Sequence, residues 1–169
     1  MPSAAPPPAK SPLFEDALAF ASALAPGARL IGVDGGTKTL GLALSDVSRT
    51  IASPLETIAR GKFKADAARL NAIVAEHRVG GLVVGLPRNL DGLEGPRAQS
   101  ARALARNLGA IVHLPILLWD ERLTTALAER MLIDADQSRK RRAEVIDKLA
   151  ATLILQSALD RINVAARSA

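Results

Sequence analysis

Two short apolar runs, residues 82–86 and 115–119, alternate with helical segments and follow a stretch of the chain that reads as three consecutive strands; this order constrains the fold most. Residues 30–46 hold an apolar strand, a glycine-rich turn and a returning strand, and residues 51–58 give a third strand in which Pro54 predicts an edge position or a bulge. Between 64 and 77, Ala67, Leu70, Ile73 and Val74 recur at helical spacing, and Gly80 and Gly81 are expected to end that helix before the strand at 82–86. Pro96 opens a helix carrying Ala98, Ala101, Leu104, Ala105 and Leu108 to about Gly109. After the strand at 115–119, Thr124 or Thr125 is placed to cap a helix with Leu127, Met131 and Leu132, and a basic loop leads to a final helix over 143–162. The predicted class is α/β, a mixed five-stranded sheet with helices on both faces. Ligands of such sheets gather outside the C-terminal ends of the parallel strands.

Chemistry is expected at that end. Asp34 stands at the tip of the first strand and runs into Gly35, Gly36, Thr37 and Lys38. The glycines permit a tight turn and close approach of a ligand, a carboxylate so held suits a hard cation, and Thr37 with Lys38 beside backbone amides suits a phosphate. Taken alone, Asp34 also fits an ordinary turn residue. Gly36 and Gly41 have P-loop spacing, but Leu42 and Ala43 stand where lysine and a hydroxyl residue are required. Asp-Gly-Gly-Thr is similar to the first phosphate loop of the actin and sugar-kinase ATPases, whose two large lobes need a longer chain.

A second acidic pair, Asp120 and Glu121, ends the strand at 115–119. Asp147 heads an apolar stripe on the last helix, continued by Ala151, Ile154 and Leu155, and Ala150 and Ala151 are small enough to let that helix approach the sheet. Asp147 also fits an aspartate that serves only the helix dipole. Gathered together, such acids repel one another unless cations lie between them, and magnesium or manganese with open coordination positions fits oxygen ligands best. That is the chemistry of a nuclease centre. Arg139, Lys140, Arg141 and Arg142 read either as a solvated run or as a hold on a nucleic-acid backbone at the mouth of the site.

Composition narrows the alternatives. The 169 residues suit one domain, and 49% hydrophobic content fills a core, with only 2% aromatic residues to serve as a base-stacking platform. A net charge of +5 and a pI near 10.2 favour a polyanionic partner held by its phosphates. There is no cysteine, so disulfides and thiolate sites are excluded, and His77 and His113 lie in unrelated contexts, so a histidine-rich zinc centre is not expected. Residues 1–12, rich in proline, are expected to be a disordered tail, 13–28 a short helix and linker, 29–162 the folded domain and 163–169 a flexible tail. The Ala-rich stretch at 13–24 imitates a signal peptide, but Glu15, Asp16 and a nearly uncharged N-terminus argue against export, and no run reaches membrane-spanning length. The expectation is a cytoplasmic protein without a membrane partner, its oligomeric state left open by the letters.

From about Arg29 to Asp160 the chain resembles the YqgF/RuvX family. The resemblance rests on Gly32-Val33-Asp34-Gly35-Gly36-Thr37-Lys38, Val84-Gly85-Leu86-Pro87 with Asp91-Gly92, Asp120-Glu121-Arg122-Leu123-Thr124-Thr125, and Ile146-Asp147-Lys148 with Ala150-Ala151 and Ile154-Leu155-Gln156, in that order and spacing. It implies an RNase H-like fold and a cytoplasmic bacterial nuclease, using Mg2+ or Mn2+, that processes the 5′ end of precursor 16S rRNA; some members are described instead as Holliday-junction resolvases acting on branched DNA. It further implies Asp34, Glu121 and Asp147 as catalytic acids and metal ligands, with Asp120 as a fourth ligand; Thr37, Lys38, Arg122 and the 139–142 run are the expected substrate contacts. Two positions depart from pattern. Thr39 stands where the family often has arginine, and Gly85 where related resolvases carry an acid, so Glu121 must complete the metal site from the neighbouring strand. A third reading is an RNA-binding assembly factor with a silent site.

Overall fold

The structure is a computed structural model that describes residues 11–124 and 139–168, with 139–148 described by their backbone alone. Near-continuous burial along the central strands, as expected of a sheet covered on both faces, accompanies one six-stranded mixed sheet in the order β1-β6-β5-β2-β3-β4. Its strands are β1 (Leu13–Phe14), β2 (Arg29–Gly35), β3 (Thr39–Ser45), β4 (Ala52–Ala59), β5 (Val79–Leu86) and β6 (Ile116–Asp120). The hairpin β2–β3 and the pair β3–β4 are antiparallel, and β5 lies parallel between β2 and β6. The proline expectation holds in both its parts: β4 is an edge strand, and its register shifts where Ala43 pairs with Pro54 while Leu42 pairs with Glu56.

Helices cover both faces. On one side α2 (Phe63–His77) and α3 (Pro96–Val112) enclose a core that includes Ile31, Val33, Leu82, Val84, Ile116 and Leu118. On the other, α1 (Ala17–Ser22) and α4 (Arg139–Ser168) cover Leu30, Val83, Leu117 and Trp119. Successive strand residues therefore point to opposite cores.

Several details differ from the sequence reading. A sixth strand, β1, pairs in parallel with β6, and the helix expected from residue 13 begins only at Ala17, where Asp16 accepts a hydrogen bond from the Ala19 amide as its cap. Gly80 and Gly81 do not end α2; Arg78, at φ 54°, does, and both glycines sit inside β5, where a Cβ at Gly81 would come within 2.8–3.0 Å of Leu24, Leu30 and Phe20. A helical turn opens at Arg122, ahead of the Thr124 or Thr125 cap, with the Asp120 carboxylate accepting the Arg122 amide; the Leu127, Met131 and Leu132 face lies outside the described residues. The basic stretch Arg139–Arg142 is the first turn of α4, for arginine and lysine are good helix formers and neither glycine nor proline interrupts 139–168. The same helix continues through the expected C-terminal tail to Ser168, with Asn163 donating to the Arg49 carbonyl. Of the N-terminal tail, residues 1–10 lie outside the described residues, while Ser11 bonds to the Gly109 carbonyl and the Pro12 carbonyl accepts the Ile116 amide.

Candidate active site

Strand parity decides which acids meet. Along β2, Leu30 and Gly32 face α4, as does Asp34; along β6, Leu117 and Trp119 face α4, and the alternation carries Glu121 to that side as well. Asp120, in step with Ile116 and Leu118, is directed to the opposite face. Asp34 and Glu121 thus emerge on one face at the C-terminal ends of β2 and β6, with β5 between them.

Glycine at position 85 makes room for this. A Cβ there would overlap Oε1 of Glu121 and stand 2.6 Å from the Ile154 Cδ1 atom, so the glutamate side chain lies across β5 in the space a side chain at 85 would take. Burial first, and then the charges of Asp34 and Asp120, push the Glu121 carboxyl up to about 7, while Arg97 near the start of α3 acts in the opposite direction.

Asp120 has another partner. Arg122 donates from Nη2 to Oδ2 at 2.6 Å and from Nε to both oxygens at 3.0 Å, and this pairing holds Asp120 below the usual carboxylate range. Arg122 is itself turned towards Asp91 and Gly92 of the β5–α3 loop.

Backbone placement brings Asp147 to the same end. Gly32 is the contact point of α4: a Cβ there would come 2.6 Å from the Ala151 carbonyl and 2.7 Å from the Leu155 Cβ, so close approach depends on glycine in the strand as well as alanine in the helix. Gln156 and Asn163 bond to Thr50, Ala52 and Arg49, near the start of β2, so α4 runs against β2 with its N-terminal half towards Asp34. From Ala151 back to Asp147 is about 6 Å of helix, and from Gly32 on to Asp34 about 6.6 Å of strand. The two advances match. The 139–142 run lies further out in the same direction, about 14–18 Å beyond Ala151.

Thr37 and Lys38 occupy the turn of the hairpin, closed by the Gly36 amide donating to the Thr39 carbonyl at 2.9 Å. The Lys38 carbonyl accepts the Arg60 amide, and the Arg60 guanidinium donates to the Gly36 carbonyl, which ties this turn to the segment before α2. Arg60 and Arg97 were not singled out from sequence. Arg60 had a signal in the cationic string Arg60-Gly61-Lys62-Phe63-Lys64, whereas Arg97 had none, because its neighbour across the fold is 24 residues away in the chain. Among the described residues no cluster of three or more His, Cys, Asp or Glu stands ready to hold a metal ion; the described pair is Asp34 with Glu121.

Comparison with known proteins agrees with this architecture. The RuvX family, described as Holliday junction resolvase, matches residues 28–161. A Roseobacter denitrificans protein named "Putative pre-16S rRNA nuclease" is 59% identical over 154 residues, covering 90% of this chain and 94% of its own. A Cereibacter sphaeroides protein of the same name is 62% identical over 144 residues, covering 85% and 90%. In fold, the chain is similar to Thermus thermophilus RuvC, at a TM-score of 0.50 and 14% identity over 80% of this chain and 96% of that one. The sheet order, the helices on both faces and these matches make the fold RNase H-like, and the chain belongs to the RuvX family.

Proposed function

We propose that this protein is a cytoplasmic, metal-dependent nuclease that hydrolyses phosphodiester bonds in precursor 16S rRNA at its 5′ end. The observation that carries the reading is the meeting of Asp34 and Glu121 on one face at the end of the sheet, with Gly85 clearing the space between them. The relatives' names supply the substrate. No helix among the described residues is long and apolar enough to cross a membrane.

The donor set fits Mg2+ or Mn2+: the carboxylates of Asp34 and Glu121 meet on one face, and oxygen donors suit a hard cation. Asp34 and Glu121, with Asp147 from α4, would hold it. When bound, the metal supplies an activated water and stabilises the leaving oxygen of the phosphodiester. The chain's own residues do the rest. Asp34 is fixed by the β2–β3 pairing, Glu121 by the packing of its side chain over Gly85, and Asp147 by the contact of Ala151 with Gly32. Thr37 and Lys38 of the hairpin turn would orient the phosphate, and Arg139, Lys140, Arg141 and Arg142 at the outer end of α4 would hold the backbone of the strand at a distance from the reacting bond. Asp120, paired with Arg122 on the opposite face, would keep Arg122 in place as a further phosphate contact and would not hold the metal.

Branched DNA is the second substrate reading, favoured by the family's description as Holliday junction resolvase. Purified protein incubated with precursor rRNA and with a four-way DNA junction, with and without Mg2+, tests both. Metal-dependent cutting of the rRNA at its 5′ side supports the proposal; cutting of the junction alone transfers the activity to DNA. Binding without cutting of either would make the protein a silent assembly factor.

A further inference from the structure

The chain has three phenylalanines, and their placement is unequal. Phe14 and Phe20 pack edge to face in the core under α1, with ring centroids 6.0 Å apart. Phe63, the first residue of α2, is 37% exposed, too much for a core ring. It stands on the rim of a cavity of about 270 Å³ whose lining includes Gly35, Arg60, Ser100, Leu104 and Asn107. Gly35 follows Asp34 directly but faces α3, so the cavity opens at the tip of the strand that carries the first acid, on the other face of the sheet from Asp34.

The walls differ in chemistry. Leu104 supplies an apolar floor, and it presses on Gly35 so tightly that a Cβ there would come within 2.6 Å of its Cδ2. Ser100 and Asn107, two turns apart on α3, present a hydroxyl and an amide, which donate and accept. Arg60 stands at the mouth, tethered to the Gly36 carbonyl at 2.5 Å. Its segment is built rather than loose: Asp66 is buried and accepts the Gly61 amide at 3.2–3.3 Å, and the Arg60 amide donates to Lys38. Lys62 and Lys64 flank Phe63 in the chain, and the backbone of Lys38 is bonded to Arg60, so the segment is rich in positive charge.

We infer that this cavity is a subsite for one unpaired nucleotide of the substrate strand where it passes round the end of β2 from the phosphate held at Asp34, its base stacked on Phe63 and read by Ser100 and Asn107, its phosphate met by Arg60. The inference rests on the nuclease reading and adds to it a preference for a single-stranded flank. A flat ring, a hydrogen-bonding wall and a cation at the mouth match the three parts of a nucleotide, and the volume holds one base and excludes a duplex. A base still paired in a helix shows its edges but not its faces to the protein, so only an unpaired one can use the Phe63 ring.

The test uses full-length protein carrying Asp34→Asn, so that substrate stays uncut, and single-stranded RNA oligonucleotides of the precursor leader with 2-aminopurine scanned one position at a time. The expected result is quenching confined to one or two adjacent positions. Phe63→Ala and Asn107→Leu should abolish it and weaken binding about tenfold, Phe63→Tyr should retain it, and affinity for a fully paired duplex should stay within twofold throughout. Unchanged quenching and affinity in Phe63→Ala would overturn the inference, as would an equal loss on single-stranded and duplex RNA. Cleavage by the wild-type protein is scored separately: if it fails to cut but the Phe63-dependent signal is present, the subsite stands and the nuclease reading falls.

Discussion

Glu121 lies across Gly85, its Oε1 in the space that a Cβ at position 85 would occupy. An acid reaches the middle of the site from β6, and β5 contributes only the room for it.

Gly85→Ala should displace Glu121 and lower cleavage by more than tenfold, at a stability cost of about 1–3 kcal/mol from overpacking. The relationship also predicts a rescue. Glu121→Ala should be inactive, and adding Gly85→Asp in that background should recover measurable metal-dependent cleavage, since the new acid stands where the old one ended. Steady-state rates of the single and double variants check this; a double variant no better than Glu121→Ala would show that the two positions do not share one space.

The two neighbouring acids should separate cleanly. Glu121→Gln is expected to lose at least a hundredfold in cleavage, whereas Asp120→Asn, on the opposite face and paired with Arg122, should keep activity within about fivefold and instead soften the turn after β6. Metal-dependent rates together with melting curves decide it. The reverse ranking would place the ligand at Asp120.

Much of this was legible in the sequence, for identifiable reasons. The strand at 115–119, the hairpin and the α3 stripe announce themselves by period and by glycine and proline, and Pro54 marked its own bulge. β1 stayed hidden because two residues carry no period, and Leu13 and Phe14 merge with the apolar run of α1. Gly80 and Gly81 misled because glycine usually marks a break, while here it clears space inside a strand for Ala28, Leu24 and Phe20. At the site, strand parity favours Glu121 over Asp120, which the letters Asp-Glu could not do without the strand's register. Phe63 and its cavity were invisible to motif reading, because their walls come from β2, α2 and α3 together.

A stability prediction follows from the β3–β4 turn. Asp46 accepts hydrogen bonds from Ser48 Oγ and from the Ile51 and Thr50 amides, which lower its carboxyl from 3.8 to about 2. Its folded value lies below its unfolded one, so its contribution is complete above about pH 4 and is lost as pH falls towards 2. Melting temperatures of wild type and Asp46→Asn should differ most above pH 4 and converge towards pH 2. A gap that stays constant over that range would remove Asp46 as the cause.

Replacing Arg139, Lys140, Arg141 and Arg142 with alanine should weaken binding to RNA and DNA alike and flatten the salt dependence; on duplex DNA the log–log slope should fall by up to about 0.9 for each phosphate that is no longer neutralised. At saturating substrate the variant should still cut, because these residues lie more than one turn of helix beyond Asp147. Filter binding over a salt series reads the effect, and an unchanged slope would make the run a solvated helix end.

The central claim is that Asp34 and Glu121 act together on a bound cation. Its most direct test is cleavage of precursor 16S rRNA across a Mg2+ titration by wild type, Asp34→Asn, Glu121→Gln and the double variant, each first shown to melt cooperatively. The account predicts cutting by wild type that requires Mg2+, a loss of at least a hundredfold in either single variant, and no further loss in the double, as expected of residues that serve one centre. Wild-type rates in Asp34→Asn at matched Mg2+, or losses that simply multiply in the double variant, would contradict it.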